Sequence, residues 1–82
     1  MNGVAVHFKQ EVQRYTDKIH WLKHDINVAK GTVSEHSINA MRLERARQEL
    51  ELKQLLDYCE KRFSISDMII VREGLENGNV QR

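Results

Sequence analysis

Apolar residues recur at alternating spacings of three and four positions through the first part of the chain. They are Ala5, Phe8, Val12, Tyr15, Ile19, Leu22, Ile26 and Ala29. This heptad spacing places a narrow apolar stripe along one side of a helix. Because such a stripe is stable in water only when another helix covers it, the pattern predicts a helix over residues 4–30 that packs against a second helix.

A second apolar stripe begins after a single glycine. Gly31 adopts a positive φ at little cost and is expected to end the first helix. Thr32 and Glu35 have the spacing of a capping box, which predicts that the next helix starts here and spans residues 33–63. The apolar face of this second helix consists of Ile38, Met41, Leu52, Leu55, Leu56, Cys59 and Phe63.

The two stripes match in one register if the chain reverses direction at Gly31. Ile26 then faces Ile38, and Phe8 faces Leu56. Because the two stripes were identified independently, their agreement favours an antiparallel hairpin that resembles a two-stranded coiled coil.

The match is interrupted in the middle of the hairpin, where Tyr15 and Ile19 face Arg45 and Gln48. Two interpretations are open. The polar side chains form a hydrogen-bonded layer with the Tyr15 hydroxyl, which would fix the register, or they extend outward to the solvent. The second interpretation is favoured.

A third, short helix is predicted near the C-terminus. Ser64 and Asp67 have the spacing of an N-terminal cap, and the helix is expected over residues 66–73, ended by Gly74. The apolar run at residues 68–71 contains three β-branched residues, so a short strand is the alternative. The helix is favoured because no second strand candidate lies nearby.

These segments predict an all-α fold with one domain over residues 1–75 and a flexible tail over residues 76–82. Several apolar residues lie off both stripes, where a two-helix hairpin cannot cover them. They are Trp21, Val28, Leu43, Ala46, Leu50 and the apolar residues of the third segment. We expect the third helix to cover part of this surface and two chains to share the rest, as a homodimeric helical bundle.

Composition narrows the classes of function. The 82 residues carry a net charge of +1, with 30% charged residues and no proline, which favours long solvated helices and gives no strong field for nucleic acid. The single cysteine, Cys59, cannot form an internal disulfide, and no segment approaches the ~18 apolar residues of a membrane span. We expect a soluble, cytoplasmic protein that does not bind membranes.

No arrangement of residues in the sequence supports a reaction, so we expect a protein that is not an enzyme and binds no cofactor. The one spacing that resembles a metal site is Asp17, His20 and His24, with its two histidines four residues apart. All three lie on the outward side of the first stripe, which favours a solvated polar face over a metal site. Cys59 is expected to pack as a small buried hydrophobe.

The leading hypothesis is a regulator, inhibitor or adaptor that binds a larger protein. Its expected binding residues are apolar, lie off the two stripes and are surrounded by charge. They are Trp21, Leu43, Leu50, Ile69 and Ile70. For Trp21 the alternative is an internal lid over the third segment.

Two other functions stay open. Arg42, Arg45 and Arg47 form the densest basic patch and would suit nucleic-acid phosphates. Glutamates interleave with them, however, and this alternation is typical of a charge ladder on a solvated helix. The remaining alternative is a structural coiled-coil subunit of a larger assembly.

Overall fold

The computed structural model describes residues 3–76, which form three helices and contain no strand. Helix α1 spans Gly3–Ala29, α2 spans Glu35–Arg62 and α3 spans Ile65–Glu76. The predicted all-α class is confirmed, and the strand alternative for residues 68–71 is wrong because this run lies inside α3. Of the predicted tail, residue 76 belongs to α3 and residues 77–82 lie outside the described residues.

The turn between α1 and α2 confirms one predicted role and corrects another. Gly31 has a φ of +82°, as expected for the residue that follows a helix. The N-cap of α2, however, is Ser34, whose hydroxyl accepts a hydrogen bond of 3.2 Å from the Ser37 amide. Thr32 lies in the turn two residues before this cap, and its hydroxyl donates to the Ala29 carbonyl at 3.0 Å at the end of α1. The second helix therefore starts later than the capping-box pattern predicts.

Side chains from all three helices form the main buried cluster. Its members are Ala5, Val12, Cys59, Met68 and Val71. A smaller cluster near the turn contains Ile26, Ala29 and Ile38, with Met41 packed against it. Phe8 and Leu56 both pack against the main cluster, so the start of α1 meets the end of α2 and the two helices run in opposite directions.

Helix α3 folds back along α1, and the two helix backbones lie close together at Gly74. A Cβ atom at Gly74 would lie 2.5 Å from the Lys9 carbonyl oxygen and 3.1 Å from the Gln13 nitrogen. Gly74 therefore lies within α3, and the prediction that it ends the helix is wrong. Its missing side chain lets two backbones meet, and the resulting contact outweighs the low helix propensity of glycine.

Polar contacts fix both ends of α3. The Ser64 hydroxyl accepts a hydrogen bond of 3.2 Å from the Asp67 amide, which confirms the predicted cap. Toward the other end, the Lys9 ammonium lies 3.3 Å from a Glu73 carboxylate oxygen. Helix α1 lies between α2 and α3, because both of these helices pack against α1 and make few contacts with each other. Each outer helix therefore has a face directed away from the core.

Candidate interaction surfaces

The three residues with metal-like spacing are not arranged as ligands. Within residues 3–76, no group of three or more His, Cys, Asp or Glu side chains is placed to hold a metal ion. The rings of His20 and His24 instead lie edge-on to the Trp21 indole, with centroid distances of 5.4 Å and 5.2 Å. The two histidines therefore flank an aromatic ring on the surface of α1.

Cys59 is completely buried in the main cluster. Burial raises the pKa of its thiol, because the thiolate would lose hydration in the apolar core. A nucleophilic cysteine requires the opposite shift and access to a substrate. The environment of Cys59 therefore stabilises packing and disfavours reactivity.

Carboxylates on the same helix engage the basic patch of α2. Arg47 donates to Glu44 at 2.5 Å and lies 3.4 Å from Glu51, while Arg45 lies 3.6 Å from Glu49. The hydrogen bond with Glu44 raises the Arg47 pKa further above its already high value. This arrangement is the charge ladder of a solvated helix, since each of these guanidinium groups has a carboxylate beside it.

A polar layer separates the two apolar clusters. Gln48 is only 4% exposed, and its amide donates to the Glu44 carboxylate at 3.0 Å. The Lys18 ammonium of α1 reaches the same carboxylate at 3.5 Å. The expectation that Gln48 extends outward is therefore wrong, and its partner is a glutamate that the sequence pattern did not single out.

Glu44 is the central group of this polar layer. Hydrogen bonds from Arg47 and then Gln48 lower the pKa of its carboxyl from the ordinary 4.5 to about 2. A depressed carboxyl pKa stabilises the folded state above the unfolded pKa of 4.5, and this contribution is lost as the pH falls toward 2.

We therefore expect Glu44→Gln to make unfolding less sensitive to acid. Urea titrations at several pH values between 5 and 2 should show a steeper loss of stability in the wild type than in this variant. Glu49→Gln, which removes a carboxylate of the same helix beside Arg45, controls for the change in net charge. Parallel pH curves for the wild type and Glu44→Gln would contradict the role of Glu44.

The outer side of α2 carries two exposed leucines. Leu43 is 73% exposed and Leu50 is 55% exposed. At 100° per residue both lie on the side of the helix opposite the buried Gln48 and Cys59. The sequence pattern placed these leucines off the apolar stripe, and the structure leaves them directed away from α1.

The outer side of α3 carries the most exposed isoleucine of the described chain. Ile65 is 84% exposed and Ile69, one turn later, is 60% exposed. Both border a shallow groove of about 370 Å³ on the surface between the end of α2 and α3. The residues that line this groove are Glu60, Phe63, Ile65, Met68, Ile69 and Arg72.

The set of binding residues predicted for the third segment is therefore corrected at one position. Ile70 is partly buried against the main cluster, whereas Ile65 stands outside and was not among the expected binding residues. The spacing of Ile65 and Ile69 places them on one helix face. The i, i+4 spacing of Ile65 and Ile69 can be recognised in the sequence. The sequence does not show which face of α3 packs against α1, because that orientation depends on the contact at Gly74.

Trp21 is half-buried, and it lies two turns beyond the close contact of α3 at Gln13. Its neighbour one heptad later, Val28, is 63% exposed. Trp21 is thus less accessible than Val28, and the histidines beside it provide part of its contacts.

Comparisons with known proteins place the chain in no family: no family model, no curated protein and no solved structure matches it. Within the described residues, no helix combines the length and apolar character needed to cross a membrane. The functional argument therefore rests on the surfaces of the three helices.

Proposed function

We propose that this chain is a small protein-interaction module without enzymatic activity, which binds a larger protein and thereby regulates, inhibits or connects it. The observation that supports this proposal is the outer face of α3, where Ile65 and Ile69 are 84% and 60% exposed beside an apolar groove. Leu43 and Leu50 on α2 form a second exposed apolar face.

The free-energy cost of leaving these apolar side chains in water supports the proposal. Burial of one isoleucine or leucine contributes about 1.5–3 kcal/mol. Ile19, Ile26 and Ile38 are buried, whereas Ile65, Ile69, Leu43 and Leu50 are 84%, 60%, 73% and 55% exposed. The exposed side chains contribute little of this free energy to the monomer. Binding to another chain recovers that free energy.

The groove of α3 suits the apolar side of an amphipathic helix. Its floor contains Phe63 and Met68, and an ion pair between Arg72 and Glu60 lies at its edge. An apolar centre with a charged rim is the usual composition of a protein interface. A partner helix would place large apolar side chains beside Ile65 and Ile69, and complementary polar groups beside the ion pair.

The proposal extends to architecture and compartment. We take α1 and α2 to form a coiled-coil-like antiparallel hairpin, and two copies to associate as a helical bundle, because the exposed leucines of α2 lie outside the hairpin contact. The free, buried thiol of Cys59 suits a reducing compartment such as the cytoplasm.

Nucleic-acid binding receives less support. Arg45 and Arg47 are paired with glutamates of their own helix, and Arg42 donates to the Asn39 side chain at 3.3 Å. Phosphate would have to displace the carboxylates from two of these three guanidinium groups. A structural subunit of an extended coiled-coil assembly remains the other alternative, and it predicts a mass that grows without limit as the concentration rises.

The proposed function is tested by comparing the proteins bound by immobilised wild type and by Ile65→Ser/Ile69→Ser. We expect a specific partner to be captured by the wild type, and its affinity, once it is purified, to fall about a hundredfold or more in the variant. Val28→Ser/Val33→Ser, which removes two exposed valines elsewhere, is the matched control and should retain binding. Equal capture by the wild type and both variants would contradict the proposal.

A further inference from the structure

The two apolar clusters differ in the number of helices that build them. The main cluster takes its buried residues from α1, α2 and α3. The smaller cluster of Ile26, Ala29 and Ile38, with Met41 packed against it, takes its residues from α1 and α2 alone. We refer to residues 20–43, which contain this smaller cluster and the turn, as the hairpin tip. The tip therefore has a smaller core than the rest of the protein.

Helix α3 does not extend over the hairpin tip. It approaches the α1 backbone at Lys9 and Gln13 through Gly74, and it ends at Glu76. An open groove of about 530 Å³ lies beside its last turn. The residues that line this groove are Thr16, Ile19, His20, Lys23, Glu49, Leu52 and Leu75. Within residues 3–76, the tip is thus a pair of helices without a third helix across it.

The polar layer lies at the base of the tip. Gln48 and Lys18 both contact the Glu44 carboxylate there, so apolar packing between α1 and α2 is interrupted at this level. At the other end of the tip, every residue from 30 to 37 is exposed. Because hydrogen bonds are replaced by bonds to water at a smaller net cost than buried apolar contacts, the polar layer is a place where the folded structure can divide.

We propose that the hairpin tip unfolds as a separate unit while the three-helix part beyond the polar layer stays folded. Few side chains hold the tip closed, since Val28, Val33 and Leu43 are exposed and add little to its packing. Helical segments this short are only marginally stable in water without packing. Once the small cluster separates, both segments therefore lose their helical structure together, and the gain in chain entropy favours the opened state.

The opened state keeps the proposed partner site. The groove of α3 is lined by residues between Glu60 and Arg72, all of which lie outside the tip. A partner bound in that groove would leave the tip free to open, so the chain combines a fixed binding surface with an end that changes conformation. This inference does not depend on the proposed function, because it concerns only the packing of the chain itself.

Native-state hydrogen exchange, followed by NMR at increasing urea concentrations below the unfolding transition, tests this division. We expect amide protection in the helical residues of the tip to be about tenfold or more lower than around Val12, Cys59 and Val71. Protection in the tip should also decrease less steeply with urea, because opening the tip exposes less surface than global unfolding. Equal protection and equal urea dependence in both parts would overturn the proposal.

Two core variants distinguish a separate unit from a single cooperative structure. Ile38→Ala destabilises the folded state relative to both the opened and the unfolded state, so protection should fall by the same factor in both parts. Val71→Ala destabilises the folded and the opened state equally, so protection should fall about tenfold or more around the main cluster and stay unchanged in the tip. An equal fall in both parts for Val71→Ala would refute the proposal. If Val71→Ala does not fold, the urea series on the wild type decides the question by itself.

Discussion

Replacement of Gly74 by alanine is expected to destabilise the protein by about 1–3 kcal/mol, although alanine is the better helix former. The added Cβ would lie 2.5 Å from the Lys9 carbonyl oxygen and 3.0 Å from a Val12 methyl carbon. A backbone oxygen cannot rotate away as the end of a long side chain can. Helix α3 must therefore move away from α1, and the packing of Val71 and Met68 in the main cluster weakens with it.

Urea unfolding monitored by circular dichroism measures this effect, and Gly3→Ala is the matched control. A Cβ at Gly3 meets no atom within 4 Å, so this variant should keep the stability of the wild type. The helix-propensity gain of about 1 kcal/mol for alanine within a helix is the competing effect at Gly74. An increase in stability for Gly74→Ala would show that the two helices are not in close contact there.

The three helices and their order follow from the sequence because the heptad stripe of α1 and the apolar face of α2 are both strong periodic signals. The exact helix start was missed where two side chains compete for neighbouring roles: Thr32 completes α1, which leaves Ser34 to cap α2. Local spacing alone does not reveal that competition, since both residues are ordinary N-cap types.

Gly74 shows a second limit of predicting this structure from its sequence. In a sequence, a glycine after a short apolar run normally marks a helix end. Here the same residue allows a close contact between the backbones of α3 and α1, so tertiary packing overrides the local signal. The orientation of α3 follows from that contact, which is why the sequence placed Ile70 among the exposed residues and did not include Ile65.

The exposed residues were predicted correctly where the periodicity of a single helix determines which side chains are exposed. Leu43 and Leu50 were placed outside by the helical period alone, and both are exposed. The position of Gln48 was harder, because burial of an amide depends on the carboxylate of Glu44 and the ammonium of Lys18 beyond it. Such a layer involves both helices and cannot be found from the stripe of either one.

Val12 is the residue whose truncation should reveal the role of α1 as the middle helix. It is completely buried, it packs with Cys59 of α2 and Val71 of α3 in the main cluster, and it lies against Gly74. Val12→Ala removes two buried methyl groups and leaves a cavity that both outer helices would have to close. We expect a loss of about 2 kcal/mol after the small gain in helix propensity.

The most direct test of this architecture compares the free energies of unfolding of Val12→Ala and Val28→Ala. Both variants make the same chemical change in α1, but Val28 is 63% exposed and should be neutral or slightly stabilising because alanine has the higher helix propensity. The account predicts a difference of about 2 kcal/mol between the two variants. Equal stabilities, or a larger loss for Val28→Ala, would contradict a core in which α1 lies between α2 and α3.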